Sequence, residues 1–144
     1  MKLVDTNLLL YAVNVHAPQH RASLAWLENS LAGDEPIAFD WIVLTGFLRI
    51  STTPRVFRQP LTIAEAVQQV TEWLDAPAAC TVTATSAHWT TFQELVLATG
   101  GTGNLVADAH LAALAISHNA TLVSCDTDFA RFRRLRWENP LAVP

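Results

Sequence analysis

Four aspartates, Asp5, Asp108, Asp126 and Asp128, are the residues of this chain best placed to do chemistry. Asp5 stands in "LVDTN" between two apolar stretches, where a lone charge is costly unless it has a partner, a cap to make or a cation to hold. Asp126 and Asp128 follow the apolar run of "TLVSCDTD", and Asp108 opens "DAHLAALA". Each has a plain structural reading: Asp5 as a helix cap, Asp126 and Asp128 as a turn plus a cap, Asp108 as a complement to a helix dipole. Converging on one edge, however, these carboxylates would repel one another and raise each other's pKa unless a cation neutralised them. Hard oxygen donors without clustered cysteine or histidine select Mg²⁺ or Mn²⁺. Magnesium usually keeps several waters and takes one or two protein carboxylates, with substrate phosphate completing its shell, which is the chemistry of phosphodiester hydrolysis.

The elements that must position these acids follow from the patterning. "KLVD" and "IAF" read as short buried strands, the second ending at Asp40, and "CTVTAT" and "ATLVSCD" as two more, with "LRW" as a fifth. Between them lie helical stretches: "NLLLYAV", a helix opened by Pro18 with Ala22, Leu24, Ala25, Trp26 and Leu31 on its apolar side, "WIVLTGFLRIS", a helix from a Thr62/Glu65 capping box through Trp73, "SAHWTTFQELVLAT", and "LVADAHLAALAISH" capped by Asn104. The glycines of "GGTGN" end the helix before them. Strands alternating with helices, and strands apolar throughout, predict a parallel sheet covered on both faces. No repeat, low-complexity tract or linker interrupts the 144 residues, so one α/β domain spanning 1–144 is expected. In such sheets ligands bind beyond the carboxyl ends of the strands, where Asp5, Asp40, Asp126 and Asp128 fall. Asp108, one turn into its helix, faces the same edge if that helix points its N-terminus there.

Composition excludes other classes. With 51% hydrophobic and 15% charged residues, the chain is not a disordered one. No apolar run reaches the roughly 20 residues of a membrane span, and no secretory signal is expected, because Asp5 and Asn7 break the apolar start. Cys80 and Cys125 form no CxxC pair and read as buried thiols of a reducing cytosol, so a cytoplasmic location is expected. The net charge is −4, yet Arg131, Arg133, Arg134 and Arg136 crowd one short stretch and Arg49, Arg55 and Arg58 another. These clusters either reflect a general preference for arginine or offer local phosphate contacts; Arg131, Arg133 and Arg134 follow the DxD turn closely enough to reach a bound backbone. His110, about 200° around the helix from Asp108, is not expected at the site. His16, His20, His88 and His118 form no metal spacing and read as surface or helix-end residues, and Trp26, Trp73 and Trp89 as packing or interface residues.

"LVDTN", "DAHLAALA" and "LVSCDTDFARF", in this order over essentially the whole chain, resemble the PIN domain, and within it the VapC-type ribonuclease toxins of bacterial toxin–antitoxin modules. The resemblance implies a three-layer α/β/α sandwich with a mainly parallel sheet of four to five strands. It also implies an Mg²⁺- or Mn²⁺-dependent endoribonuclease, usually a homodimer, that acts on RNA and is inhibited by a VapB-type antitoxin. Carried over by position, Asp5 and Asp108 match the main metal-binding acids, Asp126 the third acid, and Asp128 the more variable second acid of that motif. Thr6 and Asn7 match the polar pair that shapes the site. The chain departs from the pattern at Gly46, where the family usually places a glutamate followed by a sequence like "FLR". Either the remaining acids suffice, or Asp40 partly substitutes, or catalysis is weakened and RNA or protein binding dominates. The "DTDF" stretch also resembles the signature of haloacid-dehalogenase phosphatases, but that signature normally follows the first strand, and the accompanying downstream lysine is missing.

Overall fold

The computed structural model describes residues 1–100 and 102–143. Its elements run β1 (Lys2–Val4), α1 (Thr6–Val13), α2 (His20–Leu31), β2 (Ile37–Asp40), α3 (Trp41–Ser51), α4 (Ile63–Asp75), β3 (Ala79–Val82), α5 (His88–Thr99), α6 (Asn104–Ser117), β4 (Thr121–Val123), a 3₁₀ turn (Thr127–Arg131) and β5 (Trp137–Glu138). The strands form one sheet in the order β3-β2-β1-β4-β5, and every pairing is parallel. Burial on both faces explains why the strands are apolar rather than alternating. Leu3, Val4, Phe39, Leu122 and Val123 are all within 1% of full burial.

Chain direction fixes the layers. The path steps from β1 to β2 to β3 along one side of the sheet, then returns past β1 to β4. Because parallel crossovers are right-handed, the reversal places α1 to α4 on one face and α5 with α6 on the other, giving the expected three layers. The reversal also creates a switch point between β1 and β4, where Asp5 N–H donates to the Val123 carbonyl at 3.0 Å.

Local signals account for some element boundaries. Thr62 and Glu65 form the expected capping box: the Glu65 amide donates to Thr62 Oγ1 at 3.1 Å and the Thr62 amide to Glu65 Oε1 at 3.4 Å. Trp73 of that helix packs edge-on against Phe47, with ring centroids 4.8 Å apart. Gly100 ends α5 at φ 60°, the left-handed conformation that glycine adopts without a Cβ penalty. Gly101, in the same glycine-rich stretch, lies outside the described residues.

Four expectations need correction. Asn104 is the first residue of α6 rather than its cap; Gly103, at φ 60°, holds that place and makes no side-chain cap bond. Pro18 does not open α2, which begins at His20 after a turn. Its core face is Ser23, Leu27 and Leu31, spaced by four, whereas Ala22 and Ala25 are exposed and Leu24 and Trp26 half-buried. A stripe at that spacing stays on one side of the helix, and the small Ser23 allows close approach to the core. Cys80 and Cys125 are free and half-buried rather than fully buried.

Candidate active site

Asp5 leaves β1 in an extended conformation (φ −85°, ψ 155°) and begins α1. Its carboxylate makes two bonds: Oδ1 accepts from the Thr6 amide at 2.7 Å, and Oδ2 accepts from Ser124 Oγ at 2.7 Å. The capping reading is therefore part of what Asp5 does, and it leaves the second oxygen turned toward β4. Burial pushes the Asp5 carboxyl above its ordinary pKa, opposed by these two bonds and reinforced by Asp126.

Ser124 is the residue that sequence reasoning missed. It is fully buried, and its hydroxyl also accepts from Asn7 Nδ2 and from the Asp126 amide, each at 3.0 Å. One donated and two accepted bonds use its full capacity. Asn7 bridges back, with Oδ1 accepting from the Cys125 amide at 3.4 Å. A serine closing the otherwise apolar run "TLVS" was the available signal, since a buried hydroxyl at a strand end needs partners.

Beyond β4, Asp126 Oδ1 accepts from the Asp128 amide at 2.9 Å, a turn that holds both acids on the same side. Asp108 arrives from α6, and one carboxylate oxygen from each of Asp108, Asp126 and Asp128 lies within 4.8 Å of the other two. Asp5 is not one of this trio but borders it: its charge acts on Asp108 together with those of Asp126 and Asp128. Burial first, and then these three acids, raise the Asp108 carboxyl to about 6. Cys125, beside Asp5, has its thiol pushed up to about 11 by burial and by that carboxylate, so it is not a nucleophile at neutral pH.

The donor set fits a hard divalent cation. Around one magnesium ion opposite oxygens stand about 4.2 Å apart and adjacent ones roughly 2.9 Å, so the trio, within 4.8 Å of one another, has to draw in by up to about 2 Å to share one. Neutralising three mutually repelling carboxylates supplies the reason to do so.

Of the alternatives left open at Gly46, substitution by Asp40 is not what the side-chain bonds favour. Asp40 does not turn toward the trio: buried at the end of β2, it accepts from His110 Nε2 at 3.0 Å, and His110 Nδ1 lies 3.1 Å from His88 Nε2. The carboxylate assigns the proton to His110 Nε2, which leaves Nδ1 to accept from His88. His110 faces away from Asp108, as its helical offset predicted, and His88, half-buried, is the first residue of α5, one of the helix-end places expected for it. Burial and the adjacent His110 lower the His88 pKa. These residues tie β2, α6 and α5 together. Gly46 lies on α3 with its backbone toward Thr6; a Cβ there would meet Thr6 Oγ1 at 3.5 Å, an ordinary contact.

A parallel sheet with carboxylates gathered at its switch point is an α/β fold with those acids where such sheets bind ligands. The PIN domain family model matches residues 2–135, and the chain belongs to the PIN domain family. It is 44% identical over 143 residues to Ribonuclease VapC37 of Mycobacterium tuberculosis, covering 99% of each chain. It is also 43% identical over 141 residues to VapC ribonuclease Mb2897 of Mycobacterium bovis, covering 98% of this chain and 96% of that one. Among solved structures the fold matches VapBC2 from Rickettsia felis bound to a promoter DNA fragment, with TM-score 0.71, 24% identity and coverage of 96% and 97%. FitAcB from Neisseria gonorrhoeae matches at TM-score 0.65 and 18% identity, covering 99% of this chain and 100% of that one.

Proposed function

We infer that this chain is a VapC-type endoribonuclease, the toxin of a VapBC module, which cuts RNA phosphodiester bonds with a carboxylate-held Mg²⁺ or Mn²⁺ ion. The observation that carries the reading is the meeting of Asp108, Asp126 and Asp128 oxygens within 4.8 Å at the switch point. Relatives above 40% identity that carry the name ribonuclease support it. Bound there, the ion supplies Lewis-acid polarisation of the phosphate and lowers the pKa of an attacking water.

The protein's own residues hold and orient. Asp108, Asp126 and Asp128 hold the cation. Asp5, whose oxygens each accept one hydrogen bond among the described residues, keeps lone pairs for a ligand and adds its charge. Ser124 and Thr6 hold the Asp5 carboxylate, Asn7 holds Ser124, and the Asp128 amide holds the Asp126 carboxylate, so that little ordering is left for the moment of reaction. Asp40, committed to His110, braces α6 instead of replacing the glutamate that the family places at Gly46. A VapB-type antitoxin as inhibitor, a homodimeric assembly and action in the cytosol complete the proposal. No described helix is long and apolar enough to cross a membrane.

The test is incubation of RNA with the purified chain. Cleavage with millimolar Mn²⁺ and none with EDTA is the expected result. RNA that is bound but left uncut at every metal concentration would favour instead a silent binding domain, the reading that Gly46 alone suggests.

A further inference from the structure

We propose that the cleft between the C-terminal half of α5 and residues 130–134 carries the sugar–phosphate backbone of single-stranded RNA toward the carboxylate cluster, a reading that rests on the ribonuclease function above. The cleft is open and encloses about 700 Å³. Leu95 and Phe132 form its floor, both nearly buried, and Arg131, Arg133 and Arg134 its basic wall. Between residues 129 and 137 there is no acid, so in a chain of net charge −4 this wall is a local reversal of sign.

Continuity with the site comes from Arg131, whose Nε lies 3.4 Å from Asp128 Oδ1. The cleft therefore begins where the carboxylate cluster ends. Arg133 is exposed and pairs with no acid among the described residues. Arg134 bonds Glu94 Oε2 at 3.0 Å across the cleft, but both side chains are more than half exposed. A pair so solvated contributes little and exchanges readily for a phosphate. Among the described residues lining the cleft the one aromatic, Phe132, is only 2% exposed and offers no face for stacking. The contacts the cleft offers are therefore arginine contacts to phosphates rather than base stacking.

The test measures anisotropy of a labelled single-stranded RNA against the full chain in EDTA, from 50 to 200 mM salt. The variants are Arg133→Ala with Arg134→Ala, the same pair changed to Lys, and Arg21→Ala on α2 as a remote control. Losing two phosphate contacts should lower the slope of log affinity against log salt by about 1.4, at roughly 0.7 per single-strand contact. The lysine pair should restore most of the slope and the control should leave it unchanged. A wild-type slope in the alanine pair overturns the proposal, and if that pair also binds the antitoxin more weakly, the cleft belongs to the protein partner. If the slope falls as expected but wild type never cuts RNA with Mn²⁺, the ribonuclease reading fails and the RNA cleft stands. Wild type that binds no RNA in EDTA overturns the cleft, while cleavage with Mn²⁺ still decides the ribonuclease reading.

Discussion

The Ser124 hydroxyl donates to the Asp5 carboxylate at 2.7 Å, across the seam where β1 and β4 lie side by side. This one bond joins the first acid of the chain to the motif that carries the last two, 119 residues apart, because the same hydroxyl also receives the Asp126 amide.

Ser124→Ala should therefore disturb stability and site together. It leaves the Asn7 side-chain amide and the Asp126 N–H short of a partner in a half-buried corner, which costs about 1 kcal/mol. It also removes a bond that holds the Asp5 pKa down, so Asp5 should take up a proton more readily. Urea unfolding should show the loss of stability, and RNA cleavage should fall in parallel. Wild-type values for both would mean that Ser124 is incidental.

The pH response follows from Asp108, whose carboxyl is raised to about 6 by burial and by Asp126, Asp5 and Asp128. A folded-state pKa above the unfolded value means that the folded protein binds the proton more readily. This group's contribution to metal-free stability is therefore unfavourable above pH 6 and improves as pH falls through 6 toward 4. Metal binding has the opposite trend, since protons compete with the cation for the same oxygens. Thermal melts should show Mn²⁺ raising the midpoint at pH 7.5 by mass action, with the rise shrinking below pH 6. A Mn²⁺-induced rise of the same size at pH 5 would contradict the assignment.

Gly46→Glu tests the chain's departure from its family. A Cβ at this position makes only ordinary contact with Thr6, so the backbone tolerates a side chain there. Glutamate gains up to about 1 kcal/mol of helix propensity over glycine and places a further carboxylate beside Thr6 and Asp5. The Mn²⁺-dependent rise in melting temperature should be larger in the variant than in wild type. An equal or smaller rise would show that position 46 does not face the cation.

The sequence made the strand-end acids legible because charged residues that close apolar runs stand out, and Asp5, Asp40, Asp126 and Asp128 all do so. It could not sort them. Whether Asp40 turns to the trio or to His110 depends on how α6 crosses the sheet, a tertiary relation that no local pattern carries. Ser124 was overlooked for the same reason: its partners Asp5 and Asn7 lie at the far end of the chain. Helix boundaries were legible where side chains cap, as at Thr62, and misplaced where backbone conformation alone decides, as at Gly103.

The central claim is that a cation held by Asp108, Asp126 and Asp128 cuts RNA. The most direct measurement is the rate of RNA cleavage against Mn²⁺ concentration for wild type and Asp108→Asn, with equal folding checked by melting. Asparagine keeps the shape and removes the charge, so wild type should show saturable, EDTA-sensitive cleavage. The variant should lose at least about 10- to 100-fold, the loss that follows even from disturbing groups behind a metal's ligands. An Asp108→Asn protein with the wild-type rate and the same Mn²⁺ dependence would contradict the account.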